Sequence, residues 1–217
     1  MHDEREDYQK FLAIEPEKQE RIINAAMKEF LGGFKKASTD VIVRDAGISK
    51  GLLFHYFGTK ENLYDFLIDY AIGIVMKEYL DLINMRQKDI FDSIWQMSLL
   101  KQDLSQRFPA IFNFLSCVYL DAKACPAKVR LNRFKEMQTK KFADIYEHCD
   151  RSLFRDDVDP QKAISLIQWA LHGWADSKTD LMSPETVGEE MKEKYDLYLE
   201  EMRKYLDILR KCFYKGG

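Results

Sequence analysis

The sequence has few of the residues that interrupt helices, with five prolines and ten glycines among 217 residues. Such sparse punctuation favours long helices over many short strands joined by turns. Apolar runs fall well short of the roughly 20 residues that span a bilayer, and residues 1–7 are polar and acidic, unlike a secretory signal. We therefore expect a soluble, all-α protein that stays in the cytoplasm and does not contact a membrane.

Cysteine and histidine are also scarce, with four of each. The cysteines show no C-x-x-C spacing and no nearby histidine cluster, which favours reduced, mostly packed thiols over a metal site or a redox switch. The four are Cys117, Cys125, Cys149 and Cys212. Because phosphate-binding, nucleophile-elbow and zinc-protease motifs are also missing, we expect no catalytic residues, no metal and no cofactor.

The formal net charge is −3, which is unusual for a protein that meets nucleic acid. The charge is unevenly distributed, however. From Lys28 to Lys60 there are six lysines and arginines against three carboxylates, a local charge of +3. A basic region on an acidic body can bind phosphates locally, while the body discourages non-specific coating of DNA.

Capping residues and apolar spacing predict four helices in the first part of the chain. Their starts and stops are Pro16 to Gly32, Ser38 to Gly47, Ser49 to Gly58, and Thr59 toward Leu82. Further helices are predicted near 89–106, 108–122, 126–150, 161–180 and 186–213. Prolines that suit a first helical turn lie near most of these later starts, at Pro109, Pro126, Pro160 and Pro184.

Residues 38–60, STDVIVRDAGISKGLLFHYFGTK, predict two short helices joined by a turn that needs positive φ at Gly47. Such a pair suits a DNA reader, whose first helix supports the second in the major groove. The side chains expected to form its small core are Ile42, Ala46, Ile48, Leu53 and Phe57. Those expected to face outward are Lys50, Gly51, Leu52, His55 and Tyr56.

The outward set is unusual for a solvated helix face. Glycine in a helix is less stable than alanine by up to about 1 kcal/mol, but its missing side chain lets another surface come close. An exposed Leu52 could touch a thymine methyl group. The alternative is a structural helical hairpin that carries incidental lysines.

The run from Gly47 to Phe57, followed by Thr59-Lys60-Glu61-Asn62-Leu63, closely resembles the TetR family of transcriptional repressors. The resemblance covers roughly residues 18–66. It implies an all-α protein with an N-terminal three-helix DNA-binding domain containing a helix-turn-helix, and a larger C-terminal helical domain for ligand binding and dimerisation. The implied function is a bacterial, ligand-responsive repressor that binds a palindromic operator as a homodimer.

The resemblance also implies roles for particular residues. Residues 49–57 correspond to the recognition helix, and Phe54 stands where many members have tyrosine. Base or groove contacts are implied near Lys50, Gly51, Leu52 and His55, and phosphate contacts at Tyr56, Lys60, Ser38 and Thr39. The implied domains are an acidic tail (1–16), the DNA-binding domain (17–64) and the effector-binding and dimerisation domain (65–217).

Large apolar residues are frequent after residue 65, which fits either plain core or an apolar pocket between helices. The resemblance favours a pocket for a small lipophilic or aromatic effector. The candidate lining residues are Tyr70, Trp95, Phe112, Tyr119, Phe134, Met137, Trp169 and His172. For His172, a packing role is the alternative to ligand contact.

The last two predicted helices carry apolar stripes at three-to-four spacing, which periodicity alone assigns equally to a core or an interface. The resemblance favours a four-helix dimer contact. The candidate interface residues are Ile164, Ile167, Leu171, Trp174, Tyr195, Tyr198, Met202, Tyr205 and Leu209.

The alternative function is a helical small-molecule-binding or protein-interaction module whose helix-turn-helix does not read DNA. An all-helical enzyme is less favoured, because the sequence offers no catalytic constellation. The expected partners are therefore operator DNA, a small-molecule effector and a second copy of the chain.

Overall fold

The computed structural model describes residues 8–120, 128–178 and 189–216, most of which are helical. In this part of the chain the helices are α1 (Gln9–Leu12), α2 (Pro16–Phe30), α3 (Thr39–Ala46), α4 (Lys50–Phe57), α5 (Lys60–Glu78), α6 (Ile90–Arg107), α7 (Pro109–Leu120), α8 (Lys128–Glu147), α9 (Pro160–Asp176) and α10 (Glu189–Phe213). Over the same ranges, β-structure is limited to an isolated bridge between Phe154 and Tyr214. The predicted all-α class is confirmed.

Helix starts follow the capping chemistry that the sequence predicts. Asp159 accepts hydrogen bonds from the amides of Gln161 and Lys162 at 2.9 and 3.3 Å, and Pro160 is the first residue of α9. These bonds satisfy amides that have no partner within the helix. The predicted helix starts at Pro126 and Pro184, and the residue Cys125, lie outside the described residues.

Helix α1 is an element that the sequence analysis did not predict. It lies in the segment 1–16, expected as an acidic tail, yet Phe11 is fully buried. The hydroxyl of Tyr8 also donates to the carbonyl oxygen of Asn62 at 3.1 Å. Residues 8–12 are therefore part of the folded protein, because burial of Phe11 holds this single turn in place.

The chain divides into two compact units. Unit 1 comprises residues 1–74 and 110–134, and unit 2 comprises residues 75–109 and 135–217. The predicted division between residues 64 and 65 concerns what each part binds, and it stays a prediction.

Unit 1 is built around α2 and α5. The ring centroid of Tyr64 on α5 lies 4.8 Å from that of Phe30 and 5.7 Å from that of Phe114. Arg130 on α8 binds the carboxylates of Asp65 and Asp69 at 2.6 and 3.1 Å. These charge-assisted contacts attach the start of α8 to α5.

In unit 2, the end of α10 is fixed to the start of α6. The guanidinium of Arg210 binds both carboxylate oxygens of Asp89 at 2.7 and 3.0 Å, and Asp92 at 2.7 Å. Asp89 is also the N-cap of α6. The hydroxyl of Tyr214 accepts a hydrogen bond from the amide of Ile90 at 3.2 Å. Since a planar fork binds a carboxylate bidentately, this junction has one defined geometry.

Reactive groups are few in the described part of the chain. Its cysteines are free thiols, with Cys149 buried and Cys212 exposed. Burial raises the pKa of Cys149 and of Cys117, which disfavours the reactive thiolate. In residues 8–120, 128–178 and 189–216, no cluster of three or more potential metal-ligating side chains occurs. No helix within these ranges is both long and apolar enough to cross a bilayer.

Candidate DNA-binding surface

Helices α3 and α4 are joined by a tight turn at Gly47, as the sequence predicts. Gly47 has φ +66°, the left-handed conformation that glycine adopts without steric penalty. The amide of Ile48 donates to the carbonyl of Val43 at 3.0 Å, which closes the end of α3. Ser49 then caps α4 by accepting from the amide of Leu52 at 3.2 Å. The geometry is that of a helix-turn-helix.

The inner face of α4 packs into a cluster of aromatic rings. We define this aromatic cluster as Tyr8, Phe11, Tyr56, Phe57 and Phe66. Its ring centroids lie 4.8 to 6.3 Å apart in the contacting pairs, distances typical of favourable aromatic packing. The cluster draws on α4 and α5, on α1 and on the residue before it, so it fixes the orientation of α4 within unit 1.

The sequence prediction for Tyr56 needs a correction. Tyr56 was expected to face outward, but it is only 8% exposed. Its ring packs edge-on against Phe11 at 5.7 Å, a partner that the sequence analysis assigned to a tail. The expected core residues Ile42, Ala46, Leu53 and Phe57 are buried as predicted, whereas Ile48 is half-buried.

The outer face of α4 carries the other predicted contact residues. Lys50, Gly51 and His55 are exposed, and Leu52 is half-buried. Phe54, which stands where many members of the resembled family have tyrosine, is also exposed on this helix. The sequence did not mark this residue as a candidate contact, although its exposed side chain offers an apolar contact on the same surface.

Gly51 has no structural need to be glycine within the described part of the protein. A Cβ atom built there would meet no heavy atom within 4 Å, and its φ is not positive. Gly47 differs, because its positive φ strains any other residue. The open space above Gly51 is therefore available to a second molecule.

Two residues predicted to bind phosphate form hydrogen bonds within the protein. The Lys60 ammonium donates to the carbonyl oxygen of Ala37 at 2.7 Å and lies 4.8 Å from the centroid of the Phe34 ring. The amide of Ser38 donates to the Glu29 carboxylate at 2.9 Å. Ser38 occupies the N-cap position of α3, but its hydroxyl forms no capping bond, while Thr39 is the half-buried first residue of the helix.

Exposed cations surround the helix-turn-helix. Lys35 and Lys36 lie in the loop before α3, and Arg44 lies in its last turn. Lys50 pairs with Asp40 at 2.8 Å, and Arg44 with Asp45 at 3.0 Å. Exposed pairs of this kind contribute little to stability, so these cations can exchange their carboxylates for phosphates.

The predicted effector residues are dispersed. Tyr70, Phe112, Tyr119 and Phe134 belong to unit 1, where Phe134 is buried core. In unit 2, Trp95 is half-buried, whereas Met137 and Trp169 are exposed. Unit 2 contains a cavity of about 230 Å³, and of the eight candidates only His172 lines it.

The cavity has an aromatic and partly polar lining. It is bounded by tyrosines from α8 and α10 and by Tyr79, the residue after α5, together with Trp174, Lys101 and His172. Burial raises the pKa of Tyr79 to about 12 and also raises those of Tyr146, Tyr195 and Tyr198. Burial lowers the pKa of Lys101. The tyrosines are therefore neutral hydrogen-bond donors at physiological pH.

Most of the predicted dimer residues are core residues instead. Ile164, Ile167, Trp174, Tyr195 and Met202 are buried inside unit 2, while Leu171, Tyr198 and Leu209 are half-buried and Tyr205 is exposed. The stripe that the sequence analysis assigned to an interface is thus mainly the inner face of α9 and α10. Periodicity identified the faces correctly but not which one points outward.

The N-terminal region matches a known family model. Residues 22–66 match the model described as "Bacterial regulatory proteins, tetR family". This range includes α3, α4 and the start of α5. No curated protein sequence matches significantly.

Solved structures share the fold over nearly the whole chain. The ketosteroid transcriptional regulator KstR2 of Mycobacterium tuberculosis is 18% identical, covers 93% of this chain and 97% of its own, and has a TM-score of 0.61. A TetR family regulator from Chloroflexus aurantiacus J-10-FL is 17% identical, with 95% and 98% coverage and a TM-score of 0.58. A transcriptional regulator from Cytophaga hutchinsonii ATCC 33406 is 21% identical, with 91% and 99% coverage and a TM-score of 0.54.

Residues 22–66 are therefore similar to the TetR family model, and the chain shares the fold of solved TetR family regulators, which confirms the resemblance inferred from the sequence.

Phe11→Ala tests the aromatic cluster. Removal of a fully buried phenylalanine should lower the free energy of unfolding by about 3–5 kcal/mol and loosen α4. Amide hydrogen exchange of the α4 peptide should therefore accelerate markedly. Leu12→Ala, at an exposed neighbouring position, should leave exchange unchanged. Equal protection of α4 in both variants would mean that α1 does not support the helix.

Proposed function

We propose that this protein is a ligand-responsive transcriptional repressor that binds operator DNA as a homodimer and releases it when a small effector binds unit 2. The main observation is the outer face of α4, where Gly51 leaves open space beside Lys50 and His55 on a helix-turn-helix. A glycine that the fold does not need is explained by close approach to DNA. The alternative, a module that does not read DNA, gives no reason for glycine at this position.

In this proposal α4 lies in the major groove. Lys50 and His55 donate hydrogen bonds to base edges or nearby phosphates, and Leu52 and Phe54 offer apolar surface to thymine methyl groups. The first amides of α3, beginning at Thr39, bind a phosphate together with the hydroxyl of Ser38, which forms no capping bond.

Tyr56 and Lys60 keep a more limited role. An ammonium has three donors, and one of those on Lys60 is bonded to Ala37, so two remain for a phosphate. Tyr56 has a buried ring and can reach DNA only through its hydroxyl. Replacement of either residue would disturb the fold as well as DNA contact, which makes both poor tests of DNA binding.

The homodimer surface in this proposal is the outward face of α9 and α10. On α9, Leu166, Trp169 and Gly173 fall at helical spacing, and Trp169 is 69% exposed. On α10, Leu197 and Ile208 are 66% and 57% exposed. Exposed apolar side chains concentrated on neighbouring helices are typical of subunit interfaces.

The two helices are neighbours within unit 2. The ring centroid of Trp174 on α9 lies 4.4 Å from that of Tyr198 and 5.7 Å from that of Tyr205 on α10. Lys178 binds Glu201 at 2.9 Å beside them. A two-fold contact between such pairs would form a four-helix interface and present two reader helices to a palindromic operator in the bacterial cytoplasm.

Gly51→Ala separates DNA contact from folding. Alanine at this second residue of α4 should leave the free energy of unfolding unchanged or raise it by up to about 1 kcal/mol, while the added methyl group should weaken binding to an upstream promoter duplex about tenfold, or 1.4 kcal/mol. Thermal melting and fluorescence anisotropy measure the two effects.

Gly47→Ala is the matched control for these two measurements on Gly51→Ala. Alanine at this positive φ should lower the free energy of unfolding by about 1–2 kcal/mol, and it places no methyl group on the outer face of α4. If Gly51→Ala binds promoter DNA as tightly as the wild-type protein, α4 does not approach DNA closely.

Lys50→Ala tests the phosphate contribution. The logarithm of promoter affinity should fall linearly with the logarithm of salt concentration, and loss of one cation contact should flatten the slope by about one. Lys162→Ala, an exposed lysine on α9, should leave the slope unchanged. Identical slopes for Lys50→Ala and the wild-type protein would contradict a contact at Lys50.

Trp169→Asp tests the dimer. A carboxylate in the centre of an apolar interface is strongly unfavourable, so this variant should sediment as a monomer at micromolar concentration, where the wild-type protein is a dimer. Leu82→Asp, at an exposed apolar position outside α9 and α10, should remain dimeric. A dimeric Trp169→Asp variant would place the interface elsewhere.

A further inference from the structure

One peptide group just before α3 is held by two charged side chains. The peptide that joins Ala37 to Ser38 presents its carbonyl oxygen to the Lys60 ammonium at 2.7 Å and its amide to the Glu29 carboxylate at 2.9 Å. Glu29 lies in the last turn of α2, and Lys60 is the first residue of α5. We call this arrangement the peptide clamp.

The peptide clamp fixes the orientation of a whole peptide group. A peptide group is planar and rigid, so hydrogen bonds at both of its polar ends define how it lies. Each bond involves an ionised side chain, and such bonds are roughly twice as strong as bonds between neutral groups. A bond accepted by the carbonyl oxygen also polarises the amide of the same group, which strengthens the bond to the carboxylate. The two side chains therefore act on the peptide together.

The loop before α3 is anchored at both ends of its exposed part. The ring centroid of Phe34 lies 5.1 Å from that of Tyr64 on α5, and Ala37 at the peptide clamp is buried. Between these two anchors lie the exposed cations Lys35 and Lys36. The peptide clamp therefore also fixes the end of the loop that carries these cations.

The groups that the peptide clamp orients are those proposed to meet a phosphate. Helix α3 begins at Thr39, the residue after Ser38, and the first amides of a helix have no partner within it. The Ser38 hydroxyl forms no capping bond. Donors that are already oriented in the free protein lose less entropy when they bind a ligand. The peptide clamp can therefore strengthen a phosphate contact even where its own side chains do not touch DNA.

We infer that Glu29 and Lys60 are positioning residues for DNA binding, which orient the first amides of α3 and the neighbouring loop for a phosphate of the DNA backbone. This inference rests on the proposed function, because it gives both residues a part in the same DNA contact. It assigns a carboxylate a favourable role beside a polyanion, where its charge alone would be unfavourable.

Glu29→Gln and Glu29→Met separate the hydrogen bond from the charge. Both variants lack the negative charge and have side chains of similar length, but only glutamine keeps a carbonyl oxygen that can accept from the Ser38 amide. In fluorescence anisotropy, Glu29→Met should bind an upstream promoter duplex about tenfold more weakly than Glu29→Gln. Loss of repulsion alone predicts that both variants bind equally and more tightly than the wild-type protein, and that result would overturn the inference.

Hydrogen exchange of the Ser38 amide, measured by NMR on the free protein, reports whether the peptide clamp is open. Exchange should accelerate in Glu29→Met and stay slow in Glu29→Gln. Accelerated exchange with equal promoter affinity would make the peptide clamp a support of the fold alone. If Glu29→Met does not fold, Glu29→Asp takes its place: it keeps the charge on a shorter side chain, so promoter binding should weaken, and unchanged binding would overturn the inference.

A double-mutant cycle with Lys60→Met tests whether the two side chains act together. Its readout is the free energy of unfolding, because Lys60 also has donors left for a phosphate. The variant that carries both Glu29→Met and Lys60→Met should lose less stability than the sum of the two single losses, since either loss already weakens the bond at the other end of the peptide. Additive losses would show two independent bonds and contradict the peptide clamp.

Promoter binding by the wild-type protein separates this inference from the proposed function. A wild-type protein that shows no preference for the promoter over random duplex contradicts the proposed function itself. A wild-type protein that binds the promoter specifically, while Glu29→Gln and Glu29→Met bind it equally, contradicts only the positioning role and leaves the proposed function intact.

Discussion

Burial of the inner face of α4 against the aromatic cluster is the contact on which the proposed DNA-binding surface depends. Helix α4 is eight residues long and includes a glycine, and an isolated helix of this length is not stable in water. Its shape is maintained because Tyr56 and Phe57 pack against Phe11 and Phe66. Every residue on the outer face takes its position from these inner contacts. The burial of Tyr56 is thus a structural requirement, even though it removes a side chain from the outer surface.

Two glycines within five positions serve opposite purposes. Gly47 is needed by the backbone, because its left-handed conformation turns the chain between α3 and α4. Gly51 is not needed by the backbone and leaves the helix surface open. A helix that only braced its neighbours would gain stability from alanine at position 51. Glycine at this position is explained if another molecule approaches the helix closely, as the proposed DNA binding requires.

Local features were predictable from the sequence, and features that depend on distant contacts were not. The turn at Gly47 and the caps at Ser49 and Asp159 follow from interactions within a few residues. The burial of Phe11 could not be predicted, because its partners lie more than 40 residues away and a single turn has no periodicity. The side of α9 that faces outward could not be predicted either. Ile167 and Trp169 both belong to apolar stripes, and only packing decides which of them is buried. Apart from His172, the cavity residues were not predicted as effector contacts for the same reason: they come from five separate segments.

The most direct test of DNA reading is footprinting of the purified protein on the DNA upstream of its own gene. The account predicts a protected inverted repeat whose half-sites are about one helical turn, some 34 Å, or modestly more apart, with excess random duplex unable to remove the protection. Protection without an inverted repeat, or protection that random duplex abolishes at equal concentration, would contradict the assignment of α4 as a sequence-reading helix.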